Sequence, residues 1–170
     1  MTNMHREVER KFLLRQLPEA LQQLRPVEIE QGYIAISEEG REVRLRAAEG
    51  RYWLTVKSDG SLTRQEYEIE LSAGQFETLW PLAEGRRIRK SRFVLEKEDY
   101  HIEIDQYHQP LNGLLIAEVE FPSESAAHAY SPEPWMGKEV THLNFLKNKK
   151  LLQFHSYQQL LTELDKNDTK

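Results

Sequence analysis

The chain has 170 residues, with 23 Lys or Arg against 28 Asp or Glu, a net charge of -5, and no cysteine. That length suits one compact domain over residues 1–170, and the missing thiols exclude a disulfide framework, a thiolate metal site and a cysteine nucleophile. A mean hydropathy of -0.70 and the lack of any apolar run of about 18 residues predict a soluble, cytoplasmic protein with no membrane span or leader. The acidic balance also argues against a nucleic-acid partner, since such proteins carry a net basic face.

In chain order, Met4 to Leu14 is predicted as the first strand, followed by a helix over Leu17 to Leu24 that Pro18 is suited to start. Glu28 to Ser37, Arg41 to Ala48 and Arg51 to Lys57 read as strands, with turns at Glu39-Gly40 and Glu49-Gly50. Thr63 to Leu71 is a further strand after the Asp59-Gly60 turn. Ser72 with Gln75 is a capping-box signature, so a helix is expected from Gly74 to Glu84 with Phe76, Leu79 and Trp80 on its apolar face. Ile88 to Glu96, Tyr100 to Tyr107 and Leu114 to Phe121 complete the strands. A short helix over Ser123 to His128, a loop at Ser131 to Trp135 and a closing helix over Tyr157 to Leu164 capped by Ser156 follow, then a frayed tail from Asn167. Eight strands joined largely by tight turns predict an α+β fold that is mainly antiparallel. Eight are enough to close a barrel around one small ligand, although periodicity cannot itself show closure.

Side chains alternate across a strand, so residues two apart share a face. Glu7, Glu9 and Lys11 line up in this way, as do Arg44 with Arg46, Thr55 with Lys57, and Glu66 with Glu68 and Glu70. Lys90 joins Arg92, Glu103 joins Asp105, and Glu118 joins Glu120. Any one such face is what an antiparallel sheet presents to water. The sorting by strand points elsewhere: acids occupy the first, fifth, seventh and eighth strands, bases the third, fourth and sixth. If these faces converge, carboxylates can gather hard divalent cations while Arg and Lys hold phosphate oxygens.

The segment Glu7-Val8-Glu9-Arg10-Lys11 resembles the ExExK signature of the CYTH, or triphosphate tunnel metalloenzyme, family. Gln31-Gly32-Tyr33, Val43-Arg44-Leu45-Arg46, Leu54-Thr55-Val56-Lys57, Arg64-Gln65-Glu66-Tyr67-Glu68, Lys90-Ser91-Arg92 and Glu118-Val119-Glu120-Phe121 follow in the family's order. Gly85-Arg86-Arg87, Pro134-Trp135 and Lys147-Asn148-Lys149 are similar to the branch of short bacterial inorganic tripolyphosphatases. Where relatives often place Arg-Tyr before that Lys-Asn, this chain has Phe145-Leu146.

The resemblance implies a closed eight-stranded β-barrel, or tunnel, with flanking helices. It also implies metal-dependent hydrolysis of tripolyphosphate to pyrophosphate and phosphate. Glu7, Glu9, Glu118 and Glu120, with Glu66, Glu68 and Asp105, would hold Mg²⁺ or Mn²⁺, and Lys11, Arg44, Arg46, Lys57, Lys90 and Arg92 would bind the triphosphate chain. Water activated by the metals would attack a terminal phosphorus. Lys57 and Tyr33 are the nearest counterparts of a Lys and Tyr pair implicated in catalysis by related thiamine triphosphatases. Alternative readings are a nucleoside or thiamine triphosphatase, an adenylate cyclase, or a noncatalytic polyphosphate-binding module, and a homodimer stays open. The histidines show no zinc-ligand spacing. His5 shares the register of Glu7 but reads as a mouth or surface residue, and Lys147 to Lys150 reads as a solvated patch or an entry for substrate.

Overall fold

The computed structural model describes residues 8–57 and 66–168. Expectations that fall on Met4 to Glu7, including Glu7 and His5, on the Asp59-Gly60 turn and on Thr63 to Gln65 lie outside the described residues. Among the described residues, alternation of apolar and charged side chains gives eight strands: β1 (Val8–Leu13), β2 (Val27–Ile36), β3 (Glu42–Ala48), β4 (Arg51–Lys57), β5 (Glu66–Leu71), β6 (Arg87–Glu96), β7 (His101–Tyr107) and β8 (Leu115–Phe121). They form one antiparallel sheet in the order β1-β8-β7-β6-β2-β3-β4-β5. The β3–β4 hairpin turns on Glu49 and Gly50, whose φ angles of 51° and 74° match the backbone of a tight primed turn.

Residues from all eight strands line a single cavity, so the sheet curls. It does not close by hydrogen bonding among the described residues. β1 and β5 are its edges, in place of the expected closed barrel. The reason lies along the outer edge of β1, whose backbone groups are engaged by a C-terminal segment. The N–H groups of Gly137 and Val140 donate to the carbonyls of Leu13 and Lys11 at 2.8 Å each, and Leu13 N–H donates to the carbonyl of Lys138 at 2.9 Å. Lys11 N–H donates to Thr141 Oγ1 at 3.0 Å. These groups would otherwise have to face β5. Arg10 reinforces the segment: its Nε and Nη2 donate to Glu139 at 2.9 and 2.6 Å, and its Nη1 donates to the carbonyls of Ala127 and Tyr130.

Among the described residues, five helices flank the sheet. α1 (Glu19–Gln22) follows Pro18. α2 (Ala73–Leu79) starts from Ser72 through the expected capping box and runs into a 3₁₀ turn, Trp80–Ala83. α3 (Glu124–Ala129) is capped by Ser123. A 3₁₀ turn, Asn144–Leu146, leads into α4 (Asn148–Leu151), and neither element shows a periodicity long enough to be legible beforehand. α5 (Tyr157–Asp168) runs through Asn167, whose side-chain nitrogen donates to the carbonyl of Glu163 at 2.8 Å. That bond extends the helix where fraying was expected. Among the described residues, no helix is long and apolar enough to cross a membrane.

Two cores result. One lies on the convex side, where Phe93, Ile102, Ile104, Ala117 and Val119 pack with Leu21 and Ala127. The other fills one end of the concave side, where Tyr33, Ile88, Tyr107 and Ile116 meet Val140, Leu143, Leu146, Leu151, Phe154 and Leu160. The strand registers bring Leu13, Tyr107, Arg87 and the β2–β3 turn to that same end. The concave faces of β1, β6, β7 and β8 therefore change from charged to apolar along their length, and the C-terminal segment forms the floor beneath the charged part.

Gly137 sits so close to β1 that a Cβ would lie 2.4 Å from the carbonyl oxygen of Leu13. Gly137→Ala should therefore destabilise the fold by about 1–3 kcal/mol, read as a lowered urea midpoint. Gly74, in α2, has nothing within 4 Å of such an atom, so Gly74→Ala should be neutral or raise stability by about 0.5 kcal/mol.

Candidate active site

The cavity has a volume of about 500 Å³. Glu9, Lys11, Tyr33, Arg44, Arg46, Lys57, Glu66, Glu68, Lys90, Arg92, Glu118 and Glu120 all line it. Strand parity and pairing bring them together: Glu9 lies opposite Glu120, Lys11 opposite Glu118, Tyr33 opposite Arg44, and Lys57 opposite Glu66. Asp105 is not part of the lining. It lies behind Lys90 and Arg92 with 1% of its side chain exposed. In sheet order, carboxylates cluster on β1, β8 and β7, cations on β6, β3 and β4, and carboxylates return on β5.

Most of these charges meet an opposite partner. Lys11 Nζ lies 2.5 Å from Glu118 and 3.1 Å from Glu9. Lys57 pairs with Glu66 at 2.7 Å, and Arg46 with Glu68 at 3.3 Å. Arg92 binds Glu103 and Asp105. His101 Nε2 lies 2.7 Å from Glu120. Two donors nonetheless lack a partner: the Nε–H groups of Arg44 and Arg46 are buried with no hydrogen-bond partner among the described residues. A buried donor left unmade costs about 1–3 kcal/mol, and an anion in the cavity would relieve that cost.

The field within the site follows from the same arrangement. Burial lowers the pKa of the Arg46 guanidinium, Glu68 opposes that, and the neighbouring cations Arg44 and Arg92 lower it further. Burial pushes the Glu118 carboxyl up, but Lys11, Lys90 and Arg92 together hold it well below the usual carboxylate range. Burial also acts against the Lys11 ammonium, yet Glu118 and Glu9 raise it above its ordinary value. Glu103 is raised, first by burial and then by repulsion from Glu118 and Asp105, with Arg92 opposing. The Tyr33 hydroxyl is pushed up by burial against the pull of Arg44. It accepts a hydrogen bond from Gln31 Nε2 at 3.3 Å.

Further residues complete the lining. Glu42 shares the face of Arg44 and Arg46 and was legible by parity. Glu103 was legible as the neighbour of Asp105. Thr141, Asn144, Lys147, Asn148 and Lys149 come from the C-terminal floor, whose placement depends on the buried apolar side chains beneath it. Lys149 is not a solvated surface residue: its ammonium pairs with Glu42 at 3.1 Å, donates to the carbonyl of Gly40 at 2.7 Å, and is 10% exposed. Asn148 accepts a 2.7 Å hydrogen bond from the Tyr107 hydroxyl, tying α4 to β7. Among the described residues, no three carboxylates or histidines converge on a single point.

Residues 5–154 match the CYTH domain. The chain is 44% identical over 146 residues to the inorganic triphosphatase of Nitrosomonas europaea, covering 85% of this chain and 95% of that protein. It is 35% identical over 141 residues to the inorganic triphosphatase of Acetivibrio thermocellus, covering 81% and 87%. The crystal structure of the inorganic triphosphatase NE1496 superposes with a TM-score of 0.69 at 41% identity, covering 90% of this chain and 98% of that one. With a family match over most of its length and relatives of this identity, the chain belongs to the CYTH domain family.

Proposed function

We propose that this protein hydrolyses inorganic tripolyphosphate to pyrophosphate and phosphate within the cavity, with Mg²⁺ or Mn²⁺ and in the cytoplasm. The observation that carries this reading is the pair of buried, unpartnered Arg44 and Arg46 donors within a set of cations that faces carboxylates across the same cavity. An elongated polyanion satisfies those donors, and the named activity of the 44% identical relative supports the choice of tripolyphosphate.

The donor set fits a hard divalent cation. Every described carboxylate in the lining is a glutamate, and Glu9 and Glu120 are cross-strand partners. The absence of a converged trio among the described residues suits Mg²⁺, which commonly takes one or two protein carboxylates and draws its other ligands from phosphates and water. Glu9, Glu118 and Glu120 would hold such ions singly or in pairs, with Glu7 adjoining in sequence, and Glu66 and Glu68 complete the acidic side from β5. Bound there, the metal supplies Lewis-acid charge neutralisation at the phosphate oxygens.

The chain's own groups bind and orient the substrate. Arg44 and Arg46 offer planar forks to phosphate oxygens, while Lys57, Lys90 and Lys11 offer compact charges. As water's oxygen joins the terminal phosphorus and the bridging P–O bond breaks, these cations offset charge on the departing pyrophosphate. Tyr33 keeps its proton, because burial foremost raises its pKa, and so serves as a hydrogen-bond donor rather than a base.

Tripolyphosphate turnover should vanish on chelation and return with Mg²⁺ or Mn²⁺. Its kcat/KM should exceed that for ATP in a product-resolved assay. Glu9→Gln and Glu120→Gln should each lower kcat by about 10²-fold or more with the circular dichroism spectrum unchanged. Full activity in both variants would remove the metal assignment, and an ATP preference with cyclic AMP as product would move the reading to a cyclase.

Arg44→Ala and Lys57→Ala should each reduce the thermal stabilisation conferred by tripolyphosphate, since a ligand bound only to the folded state stabilises it in proportion to the logarithm of its affinity. Both should also lose turnover. Lys150 is exposed and outside the lining, so Lys150→Ala serves as the control. Wild-type binding in the first two variants would show that the β3 and β4 faces do not form the working site.

A further inference from the structure

We propose that Asp105 is a positioning residue, which holds Lys90 and Arg92 side by side against the phosphate chain and takes no metal itself. This rests on the tripolyphosphate reading of the cavity. Lys90 Nζ donates to Asp105 Oδ2 at 2.5 Å, Arg92 Nη2 donates to the same oxygen at 2.7 Å, and Arg92 Nε donates to Oδ1 at 2.6 Å. Both carboxylate oxygens are thus engaged by cations that themselves reach the cavity. The cross-strand neighbours of Asp105 are Arg92 and Ile116, and Ile116 is buried. A hard cation shared with phosphate and water needs an oxygen at the cavity surface. Glu9, Glu118 and Glu120 present one, whereas Asp105, at 1% exposure, presents none.

The arrangement also explains how two cations persist there. Lys90 is 2% exposed, and burial of an ammonium without a partner favours its neutral form. Burial lowers the pKa of the Lys90 ammonium, and the Asp105 charge is the strongest influence opposing that. Arg92 is held as a fork, with Nε and Nη2 on Asp105 and Nη1 on Glu103. Of its five N–H groups, this leaves one on each terminal nitrogen for phosphate. Removing the Asp105 charge would loosen the fork and leave Lys90 buried without its counterion, and would reach Glu118 of β8 through Arg92, whose Nη2 lies 3.8 Å from it, rather than by loss of a ligand.

The test compares Asp105→Asn, Lys90→Gln and their double variant, with Glu120→Gln as the metal reference. Three quantities are read: KM and kcat for tripolyphosphate, protection against heat by tripolyphosphate, and Mn²⁺ affinity by electron paramagnetic resonance. Asp105→Asn should raise KM by about tenfold or more and leave Mn²⁺ affinity at the wild-type value, while Glu120→Gln weakens Mn²⁺ by about tenfold or more. Adding Asp105→Asn to Lys90→Gln should cost much less than adding it to the wild type, because residues that act through one another are not additive. A loss of Mn²⁺ affinity in Asp105→Asn matching that of Glu120→Gln, or fully independent penalties in the cycle, would overturn the proposal. If Asp105→Asn alone does not fold, the double variant, with both charges of the pair removed, decides by its Mn²⁺ affinity. If the wild type turns over no tripolyphosphate, the activity reading fails, and Mn²⁺ affinity with heat protection still decides the role of Asp105.

Discussion

Charges withdrawn from water must be matched, and that constraint organises this structure more than any apolar contact does. Among the described residues, eight Lys or Arg and eight Glu line one cavity. Burying an isolated ion costs several kcal/mol even after relaxation, so a cavity of this kind requires opposite charges within reach of one another. The sheet order meets the requirement by setting the cationic strands β6, β3 and β4 between acidic ones. Asp105 goes furthest: it lies behind the lining and neutralises Lys90 and Arg92 from the protein side. The unpartnered Nε–H groups of Arg44 and Arg46 are the places where matching is incomplete, and there the cavity is prepared for an anion.

The same constraint divides β1, β6, β7 and β8 along their length. On β6, Lys90 and Arg92 face the cavity while Ile88, on the same side, enters the apolar cluster. On β8, Glu118 and Glu120 face it while Ile116 joins that cluster. The C-terminal segment covers the apolar end and brings Asn144, Lys147, Asn148 and Lys149 to the floor. The Lys149 pair with Glu42 and the Tyr107 hydrogen bond to Asn148 tie this floor to the sheet. Floor and edge are linked, because the segment from Gly137 to Thr141, which leads into the floor and supplies its first residue, engages the backbone of β1. Arg10 is part of that attachment. Although it lies inside the ExExK motif, it points to Glu139 rather than to the cavity, as the alternation of β1 requires.

Strand positions, the capping box at Ser72 and the charged faces were legible in the sequence because each depends on local chemistry: a period of two, a side chain that bonds three residues onward, and turn residues that accept a positive φ. The twelve described lining residues singled out by parity and motif were legible for the same reason. What parity cannot convey is depth. Glu103 and Asp105 share one face of β7, yet Glu103 lines the cavity and Asp105 is sealed behind it.

The sequence by itself determined which side chains share a face, since alternation along a strand is a property of the backbone. Tertiary structure alone decided what those faces meet. The fate of the sheet edges depended on whether the backbone groups of β1 would bond β5 or a segment more than a hundred residues away, a competition between distant partners that no local pattern records. The division between exposed ligand and buried counterion was settled in the same way, by the packing that left Asp105 no surface and placed Lys90 and Arg92 in front of it.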